Sequence, residues 1–350
     1  MEKKKNKKSK KSRLSLLGLL MFLSIVLLST STYAWFTANR TVTINDIDVQ
    51  VETSGGLQIS TDGVNWKTSL SNIDIATNAY AGNTNQFPSV LTATSSALKI
   101  DDTGKMEMYT STVGTRADGE FTLSTTKATD TAGTNGSYIA FDVFVKNESS
   151  GGDDDGSVYL TKASDVVAKT GSDDLGLKNA ARVAFVIGQT STNLTAPAAT
   201  YIALNAAAST DGTGVVLWEP NYDVHTETGA ASATYYFDQL TTPNLTGAGR
   251  ITYLGVKTAI DAIPLRWSLQ SADERTNNFT AISSENYPNA TFINTPAGNV
   301  DNGTTQLLMK KTGITKVRVY MWIEGQDVDC ENNVTGTDIT YKITLSKNND

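Results

Sequence analysis

The chain has 350 residues, with 29 basic and 36 acidic side chains and a formal net charge of −7. Its one histidine, His225, excludes any site built on two imidazoles, and its one cysteine, Cys330, excludes an intramolecular disulfide. An acidic balance of this kind makes a poor ligand for nucleic acid or an anionic membrane.

The first 13 residues, MEKKKNKKSKKSR, carry eight basic side chains and one acid, and an apolar run extends from Leu14 to Leu28. The small-residue stretch STSTYA comes next. This order of basic, apolar and small-residue segments is that of an export signal, with its cut expected between Ala34 and Trp35. The alternative is an uncleaved anchor: counted on to Phe36, the segment has 23 residues, near the ~20 needed to span a bilayer. A type IV pilin leader is excluded, because the fifth residue beyond Gly18 is Leu23 and not an acid. Cleavage removes eight bases and one acid, leaving 21 against 35 and a net charge of −14 over 35–350. Such a domain attracts divalent cations.

Strand signals dominate the chain beyond Trp35. The segments are TVTINDIDVQV (41–51), YIAFDVFVK (138–146), SVYLT (157–161), ARVAFVIG (181–188), VVLWE (215–219), ITYLGV (251–256), VRVYMWIEG (317–325) and DITYKITLS (338–346). In the first, the alternating phase shifts around Asn45-Asp46. LQISTDGVNWKT reads as a hairpin, since Asp62-Gly63 supplies the positive φ of a tight turn. In VRVYMWIEG, Val317, Val319, Met321 and Ile323 share one face and Arg318, Tyr320, Trp322 and Glu324 the other, the period of a half-buried strand. Helical spacing is scarce: SDDLGLKNAARV (172–183) predicts a short helix capped by Ser172, and SADERTNNFTAI (271–282) a second. Many short strands with turn-rich joints predict an all-β antiparallel sandwich or jelly roll, with inserted lobes around 70–135 and 225–315.

The seam TYAWFT, leading into the alternating Val42–Val51 segment, resembles the leaders of Firmicute proteins processed by the SipW-type signal peptidase, the group that includes the TasA and camelysin-like proteins of biofilm matrices. GLQISTDGVNWK (56–67), FDVFVKN (141–147), LWEPNYDVH (217–225) and VYMWIEGQDVDC (319–330) resemble stretches of exported clostridial proteins. The resemblance implies a secreted jelly-roll subunit that assembles into extracellular fibres, its partners being signal peptidase, other copies and further matrix components. The N-terminal strand would complete a neighbour's sheet through Trp35, Phe36, Val42, Ile44, Ile47, Val49 and Val51. A terminal strand with an oily start can add to an open sheet edge; the competing fate is pairing within its own domain.

The chain holds no Gly-x-Ser-x-Gly elbow and no P-loop, and an enzyme is not expected, although a glycosidase pair needs no local motif. Protease activity is implied only by the camelysin likeness. Two acidic clusters are candidate Ca²⁺ ligands: Asp153, Asp154 and Asp155 in GGDDDGS, and Glu324, Asp327, Asp329 and Glu331 in EGQDVDCE. Neither fits an EF-hand; in the first, Gly151 and Lys162 stand where carboxylates are required. His225 reads as a loop residue and Cys330 as a buried or idle thiol. A surface adhesin is the rival reading, with Trp267, Phe279 and Tyr287 stacking on a glycan or packing in the core.

Overall fold

The computed structural model describes residues 42–51, 56–148, 155–169, 176–222, 224–225, 254–295, 306–327, 329–330 and 338–347. The segment read as a leader, with Ala34, Trp35 and Phe36, lies outside the described residues, as do Asp153, Asp154, Ser172 and Glu331. In chain order the strands are β1 (Val42–Val51), β2 (Leu57–Ser60), β3 (Ser69–Leu70), β4 (Val90–Leu91), β5 (Ala93–Ser95), β6 (Met108–Thr115) and β7 (Phe121–Ala128). Then come β8 (Ile139–Asn147), β9 (Ser157–Leu160), β10 (Asp165–Ala168), β11 (Ala181–Ser191), β12 (Val215–Pro220) and β13 (Leu254–Val256). The last are β14 (Ile260–Pro264), β15 (Phe279–Ala281), β16 (Thr291–Thr295), β17 (Gln306–Lys310), β18 (Gly313–Glu324) and β19 (Asp338–Ser346). Three short helices, α1 (Asn72–Ala76), α2 (Ala198–Ile202) and α3 (Ala272–Asn278), punctuate them. None of the described helices is long and apolar enough to cross a membrane.

The strands form an all-β sandwich. One sheet runs β17-β9-β19-β1-β3, with β10 also on β19 and β4 also on β1; the other runs β14-β7-β6-β5-β18-β11-β12-β16, with β8 on β18 and β2 on β8. A single apolar cluster fills the space between them, joining Ile47, Val49, Tyr341 and Ile343 of the first sheet to Phe141, Val143, Phe185, Val319 and Met321 of the second. The sheets are mixed, because β1 runs parallel to β19 and β12 runs parallel to β16.

Local chemistry explains the joints. The register of β1 against β19 slips between Ile44 and Asp46, where the sequence changes phase, so Asn45 is the extra residue of a bulge. Gly63 has a φ of 71° in the turn that returns Lys67 to Ile59, and Asp62 Oδ1 accepts the amides of Val64 and Asn65. Ser271 and Glu274 cap α3 reciprocally. Around 177, a four-residue 3₁₀ turn replaces the helix expected there; Gly176, at a left-handed φ of 89°, leads directly into it.

The expected half-buried strand is a correction. All twelve residues of β18 are buried. Val317, Val319, Met321 and Ile323 face the sandwich core, while Tyr320 and Trp322 enter a second cluster with Leu98, Ile100, Met106 and Tyr287. The outer face of this sheet is therefore roofed by segments from 97–108 and 282–290, not by water. A third cluster packs Tyr109 and Leu123 against Val256, Ile263 and Phe279, and β14 pairs with β7. Described parts of the regions 70–135 and 225–315 thus share this cluster.

Of the two fates expected for the first strand, donation to a neighbour or pairing within its own domain, the single chain shows the second. Val42–Val51 is zipped on both sides within its chain, from Thr43↔Asp338 to Val51↔Leu345 on β19 and by Val49↔Leu70 and Val42↔Leu91 on β3 and β4. Ile47, Val49 and Val51 are at most 5% exposed, so about 1.5–3 kcal/mol of burial per side chain favours this placement over a free strand.

Candidate functional site

Two buried ionic clusters stand out because largely apolar strands carry charged side chains into them. Asp142 sits in β8, Arg318 in β18, Arg182 in β11 and Glu219 in β12, and each is at most 6% exposed. An isolated charge in that position would be prohibitively desolvated, so each must be paired and hydrogen-bonded.

In the first cluster, Arg318 donates from Nε to Asp130 at 2.9 Å, from Nη1 to Asp142 at 2.9 Å and from Nη2 to the Thr84 carbonyl at 2.9 Å. The hydroxyls of Tyr138 and Tyr320 donate to Asp130, and that of Tyr80 to Asp142. Burial alone would raise the Asp142 pKa, but Arg318 and Lys316 outweigh it and hold the carboxyl below its ordinary value. A cavity of about 190 Å³ opens beside these groups, lined by Tyr80, Thr84, Lys105, Asp142, Lys316 and Arg318. Lys316 Nζ is committed to the Ile202 carbonyl at 2.9 Å. The arrangement locks the outer face of β8 and β18 to the segments that cover it.

The second cluster lies where β11, β12 and β18 end. Arg182 Nη2 donates to Glu219 at 2.9 Å and to Asp327, and Nη1 donates to the carbonyls of Asn179 and Ala181. Asp327 Oδ1 accepts the Asp329 amide at 2.8 Å, and Asp329 Oδ2 lies 2.9 Å from His225 Nδ1. Burial alone favours the neutral imidazole, but Asp329 and Asp327 outweigh it and raise the His225 pKa above its ordinary value. His225, Asp327 and Asp329 bring ligand atoms within 4.8 Å of one another.

The candidate calcium residues separate accordingly. Asp327 and Asp329 meet. Glu324 does not join them: its carboxyl accepts Trp322 Nε1–H and the Gln326 amide, both at 3.0 Å, and burial pushes its pKa up to about 7. Asp155 is exposed and held at about 2 by Lys310 and Ser157, so a cation already occupies its vicinity. His225, read from sequence as a loop residue, lies outside regular structure yet is buried and paired. The sequence pattern did not single out Arg182, Glu219, Asp130, Asp142 and Arg318 as site residues; for all but Asp130 the available signal was a charge set inside a largely apolar strand. Cys330 is buried, in keeping with one of its two readings. Phe279 and Tyr287 are 6% exposed and pack in the core. Trp267, partly buried against the same cluster as Phe279, also lies beneath the Arg275 guanidinium at 5.3 Å.

These features define the class of protein: an all-β sandwich whose second sheet is covered on both faces, the outer one through buried ion pairs. No family model, curated protein or solved structure matches the chain.

Proposed function

We propose that the chain is an exported, structural protein of the cell surface or extracellular matrix, and that copies assemble by exchanging β1. The single observation carrying this reading is the position of β1. The strand that directly succeeds the signal-like segment is an interior strand, and its sockets on β19, β3 and β4 are built from residues further along the chain, those of β19 at its far end. The resemblance of the leader and seam to matrix-protein leaders supports export. Only residues 52–56 connect β1 to β2, which lies in the opposite sheet. A β1 released from its own sockets would meet identical sockets on a second copy. A structural role fits the buried carboxylates, which accept from arginines, tyrosines and a tryptophan.

The test uses the antiparallel pair Gln50↔Ser69. Cysteines placed there by Gln50→Cys and Ser69→Cys, in a Cys330→Ala background, form an intrachain crosslink when β1 stays home and an interchain crosslink when it is exchanged. After signal removal, confirmed by mass spectrometry of the N-terminus, the expected result is a covalent ladder on non-reducing gels, with fibres or oligomers in electron micrographs. A crosslinked monomer at every concentration would reject exchange.

A further inference from the structure

We propose that His225, Asp327 and Asp329 form a binding site for a divalent transition-metal ion, zinc being the best fit. Three donors arrive from two segments a hundred residues apart, and their ligand atoms converge within 4.8 Å. Their side chains are 6%, 4% and 0% exposed. The 2.9 Å separation of His225 Nδ1 and Asp329 Oδ2 suits a hydrogen bond, and it equally suits two neighbouring ligands. Bonds of about 2.0–2.2 Å to a common ion place adjacent donors roughly 3 Å apart.

The second observation is a concentration of buried polar atoms that have no partner. His225 Nε2 is one, and Gln326 Nε2, Asn221 Nδ2 and Asn179 Oδ1 are others, on residues that adjoin the cluster in sequence or contact. Gln326 neighbours Asp327, Asn221 opens the turn that delivers His225, and the Asn179 carbonyl accepts from Arg182. Buried polar atoms are nearly always satisfied by protein, water or an ion. With Nδ1 turned to Asp329, Nε2 and the amide N–H groups need acceptors of their own, which water held around an ion at the two carboxylates would supply.

Charge agrees. Of the described groups joined here, the carboxylates of Glu219 and Asp327 pair with the Arg182 guanidinium and that of Asp329 with His225, and with a neutral imidazole a divalent cation balances the set. The donor chemistry selects among cations. Calcium takes oxygen ligands alone, whereas an imidazole nitrogen with carboxylates suits zinc and its neighbours. The calcium expectation for EGQDVDCE is thereby replaced, since Glu324 is turned to Trp322 and the imidazole takes part. The ion would tie the segment carrying His225 to the end of β18, a clamp of three protein donors with water in the remaining position.

The experiment uses the whole mature chain, stripped with chelator, dialysed against zinc, calcium or magnesium, and assayed for bound metal by mass spectrometry. About one zinc per chain is expected, with a raised Tm in zinc and no uptake of calcium at equal concentration. His225→Ala should lose zinc and the zinc-dependent rise in Tm. Should that variant fail to fold, cobalt(II) loaded into the unaltered protein gives the same decision: visible bands of a nitrogen–oxygen site without thiolate charge transfer support the assignment. Absence of zinc after dialysis, equal retention by a folded His225→Ala, calcium uptake in place of zinc, or a thiolate signature from Cys330 would each overturn it.

Discussion

Arg318 on β18 and Asp142 on β8 are directly opposite one another in the antiparallel register, and Arg318 Nη1 reaches Asp142 Oδ1 at 2.9 Å. The strand register and the ion pair therefore specify the same alignment. A slip of one residue would turn Arg318 toward the apolar sandwich core and leave its two carboxylates alone. Specificity of pairing, and not net stability, is the physical role such a buried pair fills most readily.

Arg318→Met is expected to destabilise the fold by about 3–5 kcal/mol, because Asp130 and Asp142 remain buried without their guanidinium. Urea denaturation of parent and variant measures it. Adding Asp130→Asn and Asp142→Asn should recover part of the loss, so the three substitutions will be far from additive.

Glu324 gives a pH signature. Its folded pKa of about 7 lies above the ordinary 4.5 because burial disfavours the anion, only partly offset by donors from Trp322, Ser95 and Gln326. Between those values the folded protein holds a proton that the unfolded chain has released. Its contribution to stability therefore falls as pH rises from about 4.5 to 7 and stays lowered above that. Glu324→Gln removes the penalty but supplies one acceptor where two N–H groups arrive. The variant should be slightly less stable near pH 4 and more stable near pH 8, by up to roughly 3 kcal/mol. Thermal unfolding across that range should show the two curves crossing; parallel curves would contradict the assignment.

Gly313 begins β18 at a φ of 124°, and a Cβ there would meet the Ser191 carbonyl oxygen at 2.4 Å. Gly313→Ala combines backbone strain with a clash against main chain that cannot swing aside. A loss of about 1–3 kcal/mol is expected, seen as a lower denaturant midpoint with an unchanged slope.

Within β1, Ile47 and Asp46 are adjacent but differ in kind: Ile47 is 1% exposed and Asp46 is exposed. Ile47→Ala should cost about 2–5 kcal/mol and Asp46→Ala no more than about 0.5 kcal/mol. If copies exchange β1, the same ranking should govern dissociation of the assembled form, because the exchanged strand enters identical sockets.

Much of this fold is legible in local pattern. The bulge at Asn45 corresponds to the break in alternation, the turn at Asp62-Gly63 to its demand for positive φ, and the cap on α3 to Ser271 with Glu274. The outer face of β18 misleads because Arg318, Tyr320 and Glu324 look like residues made for water; pairing with Asp130 and Asp142 makes burial of Arg318 tolerable, and those partners lie far away in sequence. His225 is opaque for the same reason. Its neighbours NYDVHTE read as a loop, and only the fold brings Asp327 and Asp329 to the ring. The merging of 70–135 with 225–315 rests on β7 meeting β14, a pairing without local signature.

The adjacency of β1 and β19 joins residues far apart in the chain, as in the bond from Gln50 to Thr344 across 294 positions. Until the distal strand has been synthesised, the earlier one has no parallel neighbour to lie against. Closure of such a distant loop is slow, so a newly made chain spends an interval with that sheet unfinished. If the chain is exported and exchanges β1 as proposed, that interval is when it could be threaded through a narrow pore and, once outside, accept a strand from another copy.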